Sequence, residues 1–215
     1  MPENHRLPTI FDGNKEAENL LILAHGAGAP MDTDFMNYFA KNLAGTNLRI
    51  LRFEFPYMAL RREGHGRRPP DRQKILLDSW RKVINEARNY HKGNIIIGGK
   101  SMGGRMASMI ADECKVTGLV LLGYPFYAPG KADKPRIEHL VDLKTHCLVL
   151  QGERDPMGSR EGVEKYNLSK AINIKWICDG NHDLKPRIKS GRSYVENLEE
   201  CIELIKTFHE CFLEI

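Results

Sequence analysis

Six short apolar runs, at residues 19–24, 48–55, 94–98, 118–122, 146–150 and 172–178, recur along this chain with helix-like stretches between them. They are rich in aliphatic and β-branched residues and read as continuous runs, without the alternation expected of strands with one wet face, so they suit a sheet buried on both sides. Such a sheet needs helices on each face. The connecting segments supply them at residues 32–43, 71–90, 102–114 and 159–170, with a closing helix at 193–213. In that last stretch Leu198, Cys201, Ile202, Ile205, Phe208 and Phe212 fall on one stripe at helical spacing. The expected class is α/β, with a mostly parallel central sheet of about 6–7 strands flanked by helices. Residues 1–215 are expected to form one domain, a length open α/β folds commonly reach.

Composition narrows the function classes. The 32 basic residues are largely interleaved with 28 acidic ones, leaving a net charge of +4 that is too dispersed for a nucleic-acid-binding domain. Five cysteines, at 114, 147, 178, 201 and 211, form no CxxC pair, and several sit in apolar runs. They read as small buried hydrophobes in a reducing compartment. Residues 1–14 are polar and lack the apolar core of a signal peptide, and no stretch of about 18 apolar residues occurs. A cytoplasmic location without membrane partners is the expectation.

The chemistry-bearing segment is Gly99-Lys100-Ser101-Met102-Gly103-Gly104, which follows the run 94–98 and opens the helix expected over 102–114. A sharp strand-to-helix turn strains its central residue and lifts the Ser101 hydroxyl clear of the sheet. Glycines at 99 and 103 avoid collisions between Cβ atoms and neighbouring backbone. A capping serine in a glycine-rich turn is the plain alternative. A phosphate loop is the sharper one, since Gly99-Lys100-Ser101 resembles the end of that motif, but its first glycine would fall on Asn94 and Ile95, Ile96 and Ile97 are strand formers.

His25-Gly26-Ala27-Gly28 lies directly after the first run. A serine nucleophile needs two preorganised amide donors for its transition-state oxyanion, and Ala27 and Met102 occupy the two positions that supply them. Gly26 and Gly28 let backbone approach a substrate, while His25 reads as a structural hydrogen-bonding residue. Further along come Gly152-Glu153-Arg154-Asp155-Pro156 and Asp179-Gly180-Asn181-His182-Asp183, each just past a strand. Serine needs a base and the base needs an acid. The chain order Ser101, Asp155, His182 is that of the α/β-hydrolases. Asp155 as a helix-capping carboxylate and His182 as a surface loop residue are the plain alternatives, and Asp179 and Asp183 are the competing acids. Cys178 and His182 alone do not make a zinc site, so neither metal nor organic cofactor is expected.

His-Gly-Ala-Gly at 25–28, Arg52-Phe53-Glu54-Phe55-Pro56-Tyr57, the elbow running through Arg105, and Gly180-Asn181-His182-Asp183 together resemble a family of small α/β-hydrolase-like proteins. That family spans bacterial predicted hydrolases, the testis-expressed homologue and a subunit of the non-specific-lethal chromatin complex. It is more distantly similar to dienelactone hydrolases, which carry cysteine where this chain has Ser101. The resemblance covers about residues 18–213. It implies the α/β-hydrolase fold, the catalytic set Ser101, Asp155 and His182, and oxyanion donors on Ala27 and Met102. Its eukaryotic members look like scaffold components, which keeps a catalytically silent interaction protein as the alternative function.

The expected reaction is hydrolysis of a small acyl ester or thioester through an acyl-enzyme on Ser101. Residues 57–72 and 124–135 read as surface loops, and with only the 124–139 segment available as a lid the pocket should be open and modest. Arg61, Arg62, Arg67, Arg68 and Arg72 make the first loop strongly basic, and Lys100 and Arg105 flank the nucleophile. Tyr57, Lys100, Arg61 and Arg68 are therefore the candidate substrate-binding side chains beside Gly26 and Gly28, with an anionic substrate group as their partner.

Overall fold

The computed structural model describes residues 7–210. Seven strands form one sheet in the order β1-β3-β2-β4-β5-β6-β7. Their spans are β1 Thr9–Asp12, β2 Asn19–Ala24, β3 Leu48–Phe53, β4 Asn94–Lys100, β5 Gly118–Leu122, β6 Cys147–Gly152 and β7 Ile172–Ile177. All neighbours pair in parallel except β1, which runs antiparallel along β3 with Thr9 opposite Phe53. This is the expected α/β-hydrolase fold with one further strand. β1 was hidden in the polar N-terminal segment because four residues are too few to show a period.

The helices are α1 Asp34–Leu43, α2 Pro56–Arg62, α3 Gln73–Tyr90, α4 Met102–Ser108, α5 Arg160–Val163 and α6 Tyr194–Glu210. Successive side chains of a strand point to opposite faces, and β2 shows the result. Leu20, Ile22 and Ala24 pack with Trp80 and Val83 of α3 and Met106 of α4, while Leu21 and Leu23 pack with Phe39 of α1 and Ile202 of α6. Both faces of the sheet are thereby dry, as the unbroken apolar runs require.

Several boundaries differ from the sequence reading, each for a physical reason. The stretch 57–72 is not all loop: Pro56 pre-sets φ at the first helical position, and Tyr57 and Met58 are buried by the short helix α2. The helix expected over 102–114 gives way after Ser108 to successive turns through Lys115. The one expected over 159–170 is a single turn, α5, carrying Gly162 inside it, where glycine weakens a helix. β7 lies at the sheet edge and its burial alternates, with Asn173 and Lys175 exposed. Cys178, just beyond it, is exposed rather than buried, whereas Cys147 and Cys201 are fully buried. Cys211, Phe212 and Leu213 lie outside the described residues. No helix among the described residues is long and apolar enough to cross a membrane.

Candidate active site

The C-terminal ends of β2, β4, β6 and β7 meet at one rim of the sheet, where open α/β folds bind ligands. β4 runs directly into α4 through Ser101, whose backbone sits at φ 50, ψ −114. A non-glycine residue there stores about 1–3 kcal/mol of strain, and the surroundings hold it in place. The Ser101 N–H donates to Leu122 O at 3.0 Å. The turn also needs its glycines: a Cβ on Gly99 would lie 2.2 Å from Ala24 O, and one on Gly103 would lie 2.6 Å from the carbonyl oxygens of both Ala24 and His25. The indole N–H of Trp80 donates to Gly103 O at 3.3 Å, tying α3 to the turn.

Ser101 Oγ is 2.9 Å from His182 Nε2, and His182 Nδ1 is 2.8 Å from Asp155 Oδ2. The three side chains come from loops after β4, β6 and β7 and form one hydrogen-bonded row. With Nδ1–H donating to the carboxylate, Nε2 is left to accept from the serine hydroxyl. Asp155 is fully buried. Its charge is nevertheless well solvated by the protein, because Met157 N–H donates to Oδ1 at 2.8 Å and Gln151 Nε2 donates to Oδ2 at 2.9 Å. The competing acids are occupied elsewhere. Asp179 pairs with Arg154 at 2.8 Å and with Arg187, whose guanidinium holds that carboxyl well below the usual carboxylate range.

Asp183 takes a different partner, Lys100. The Lys100 ammonium lies 3.2 Å from Asp183 Oδ1 and donates to the backbone carbonyl of His182. Burial pushes its pKa down against the pull of Asp183. Lys100, expected from sequence to bind substrate, lines the cavity beside Ser101 and at the same time pairs with the loop that carries His182.

The loop after β2 is braced from behind. His25 is fully buried, as its structural reading requires. Its Nδ1–H donates to Gly26 O at 2.7 Å and its Nε2 accepts from Phe55 N–H at 3.1 Å, an arrangement only the neutral ring can make. Burial lowers its pKa accordingly. Buried Glu54 accepts from Met31 N–H at 3.4 Å and pairs with Arg62 at 2.5 Å, and Arg62 in turn holds Asp32 at 2.8 Å. Tyr57 does not face a substrate. It is 1% exposed and its hydroxyl donates to Ala27 O at 3.0 Å, so it supports the loop from the protein side.

A cavity of roughly 770 Å³ opens over this row, with Gly26, Ala27, Gly28, Ser101, Met102 and His182 in its wall. Gly26 sits close against Ser101, since a Cβ there would lie 3.8 Å from that of the serine. Arg61 and Arg68 are not brought into this cavity. They line a separate, shallower depression that shares only Ala27 and Gly28 with it. There the Arg61 guanidinium covers the Tyr57 ring and donates to the Arg68 carbonyl.

Three residues important to the site were not singled out from sequence: Gln151, Glu54 and Asp71, the last accepting from Tyr57 N–H at 2.9 Å. For Gln151 a signal existed. It is a polar residue at the end of an apolar run, and a buried amide must find partners. Among the described residues, no group of three or more His, Cys, Asp or Glu side chains could hold a metal ion.

The fold is shared with solved bacterial proteins. A serine hydrolase homologue from Coxiella burnetii superposes with a TM-score of 0.69 at 19% identity, covering 91% of this chain and 88% of its own. A serine hydrolase without a lid from Xanthomonas campestris gives 0.69 at 17%, covering 91% and 85%. Est1E from Butyrivibrio proteoclasticus gives 0.70 at 16%, covering 96% and 94%. At these identities the likeness shows the fold. The sequence itself matches the alpha/beta hydrolase domain family over residues 17–210, and the chain belongs to that family.

Proposed function

We propose that this chain is a serine-dependent hydrolase of small acyl esters or thioesters, with Ser101 as nucleophile, His182 as general base and Asp155 as the orienting acid. The observation that carries the reading is the row of contacts at 2.9 and 2.8 Å from Ser101 Oγ through the imidazole to the buried carboxylate. Its intactness favours an enzyme over a silent interaction protein.

In the first half-reaction Ser101 Oγ attacks the acyl carbonyl while His182 Nε2 takes the hydroxyl proton. Asp155 keeps the ring in the tautomer that leaves Nε2 free and stabilises the imidazolium. The carbonyl oxygen gains charge as the tetrahedral intermediate forms, and the amides of Ala27 and Met102 receive it. The imidazolium then protonates the departing alcohol or thiol. Water repeats the sequence on the acyl-enzyme and restores the serine. In support, Ala27 lies on the loop braced by His25 and Tyr57, and Met102 opens α4 directly after Ser101.

A panel of acyl esters and thioesters of varied chain length tests this, with Ser101→Ala as the control. The variant should lose at least about 10³-fold in kcat on every substrate the wild type turns over. Equal turnover by Ser101→Ala would assign the activity to other groups.

A further inference from the structure

The cavity wall is asymmetric, and the asymmetry bears on what the substrate carries. Phe35 and Met36 of α1 and Tyr194 of α6 contribute from one face of the sheet. From the other face come Arg105 of α4 and Arg136 of the loop after β5. Burial lowers the pKa of Arg105 and repulsion from Arg136 adds to that, against the pull of Tyr124 and Glu138. Neither guanidinium is within ion-pair distance of a carboxylate among the described residues. Asp183, the acidic residue of the cavity wall, is engaged by Lys100.

Two further observations concern this pair. The Arg105 Nε is buried and has no hydrogen-bond partner among the described residues. The Arg136 backbone is anchored at the cavity wall, its N–H donating to Phe126 O at 2.7 Å and its carbonyl accepting from the Tyr124 hydroxyl at 3.1 Å. Two unpaired cations in the wall of one partly desolvated cavity are unfavourable without a counter-charge, and a planar oxyanion offers guanidinium groups paired, charge-assisted hydrogen bonds.

We propose that the substrate carries a carboxylate, bound by Arg105 and Arg136 while its apolar portion lies towards Phe35, Met36 and Tyr194. The inference rests on the serine-hydrolase reading, and it moves the anion site from the basic loop at Arg61 and Arg68 to the cavity itself. The carboxylate belongs either to the acyl part or to the alcohol part of the ester.

Two substrate pairs separate those sources: monoethyl against diethyl glutarate for the acyl side, and carboxymethyl butyrate against ethyl butyrate for the alcohol side. In at least one pair the wild type should favour the charged ester by tenfold or more in kcat/KM. That preference should collapse at least tenfold in Arg105→Gln and in Arg136→Gln, and be partly recovered in Arg105→Lys. Absence of preference in both pairs, or a preference both glutamine variants retain, overturns the proposal. Fluorophosphonate labelling of the same samples keeps the two readings apart. Protein labelled at Ser101 but indifferent to carboxylate defeats only this inference, whereas folded protein that does not label defeats the hydrolase reading beneath it.

Discussion

Gln151 Nε2 donates to Asp155 Oδ2, the same carboxylate oxygen that accepts from His182 Nδ1. The glutamine is fully buried. Its amide oxygen accepts from Tyr124 N–H at 2.7 Å, and its amide nitrogen also reaches the carbonyls of Tyr124 and Gly158. One side chain thus ties the loops after β5 and β6 to the orientation of the acid. It is a positioning residue, since it touches no reacting atom.

Gln151→Leu should leave Tyr124 N–H and Gly158 O unpaired, at about 1–3 kcal/mol for each buried group left unsatisfied. Chemical denaturation should show a loss of several kcal/mol, and kcat should fall while KM changes little. Gln151→Glu, similar in shape but repelling the Asp155 charge, should shift the pH–rate profile of kcat as well as lower it. A Gln151→Leu protein as active and stable as wild type would deny the brace.

Asp155→Asn tests the acid itself. When the amide nitrogen of the new side chain donates to His182 Nδ1, the ring hydrogen is held on Nε2 and cannot accept from Ser101, so kcat should fall by about 10⁴, with Ser101 still present and the fold intact by circular dichroism. Asp179→Asn, which removes the competing acid held by Arg154 and Arg187, should cost stability far more than turnover. Reversal of that order would exchange the roles of the two aspartates.

Gly103→Ala places a Cβ 2.6 Å from the Ala24 and His25 carbonyl oxygens, both backbone atoms that cannot swing away. The elbow and the loop at 25–28 must then part. Turnover should drop by at least about tenfold, because a small misplacement of catalytic groups is costly, and thermal stability should fall with it. Wild-type kinetics in this variant would mean that the close approach has no functional weight.

His25 predicts a pH effect on stability. Its folded pKa is lowered by burial, so between that value and the ordinary value of about 6.5 the unfolded chain binds the proton and the folded chain does not. Stability from this group is therefore full above about pH 6.5 and declines as the pH falls below it, by at most about 1.4 kcal/mol per pH unit. Denaturation midpoints between pH 7.5 and 5 should fall more steeply for wild type than for His25→Gln, although the variant starts lower. Parallel curves would show that His25 does not hold a lowered pKa in the fold.

The meeting of Ser101, Asp155 and His182 was legible in sequence because each stands at a strand end, inside a short glycine-marked motif whose geometry is local. The sheet was legible for a similar reason: runs such as Leu20–Ala24 and Ile95–Ile97 admit few environments. What sequence did not show depends on partners far along the chain. Nothing near Tyr57 says that its hydroxyl supports Ala27, thirty residues away, and nothing near Lys100 says that its ammonium, besides lining the cavity, pairs with the His182 loop. Arg136 escaped notice because only the fold of the loop after β5 carries it beside Arg105. The edge position of β7 could have been read from Asn173 and Lys175, which alternate with its apolar residues.

In the proposed reaction His182 activates Ser101 as a nucleophile, and a fluorophosphonate probe reads that directly. Intact-protein mass spectrometry should find one adduct per chain, mapped to the Ser101 peptide, absent from Ser101→Ala and at least about 10³-fold slower to form in His182→Ala. Folded wild-type protein that acquires no adduct, or an adduct that forms as fast without His182, would contradict the account.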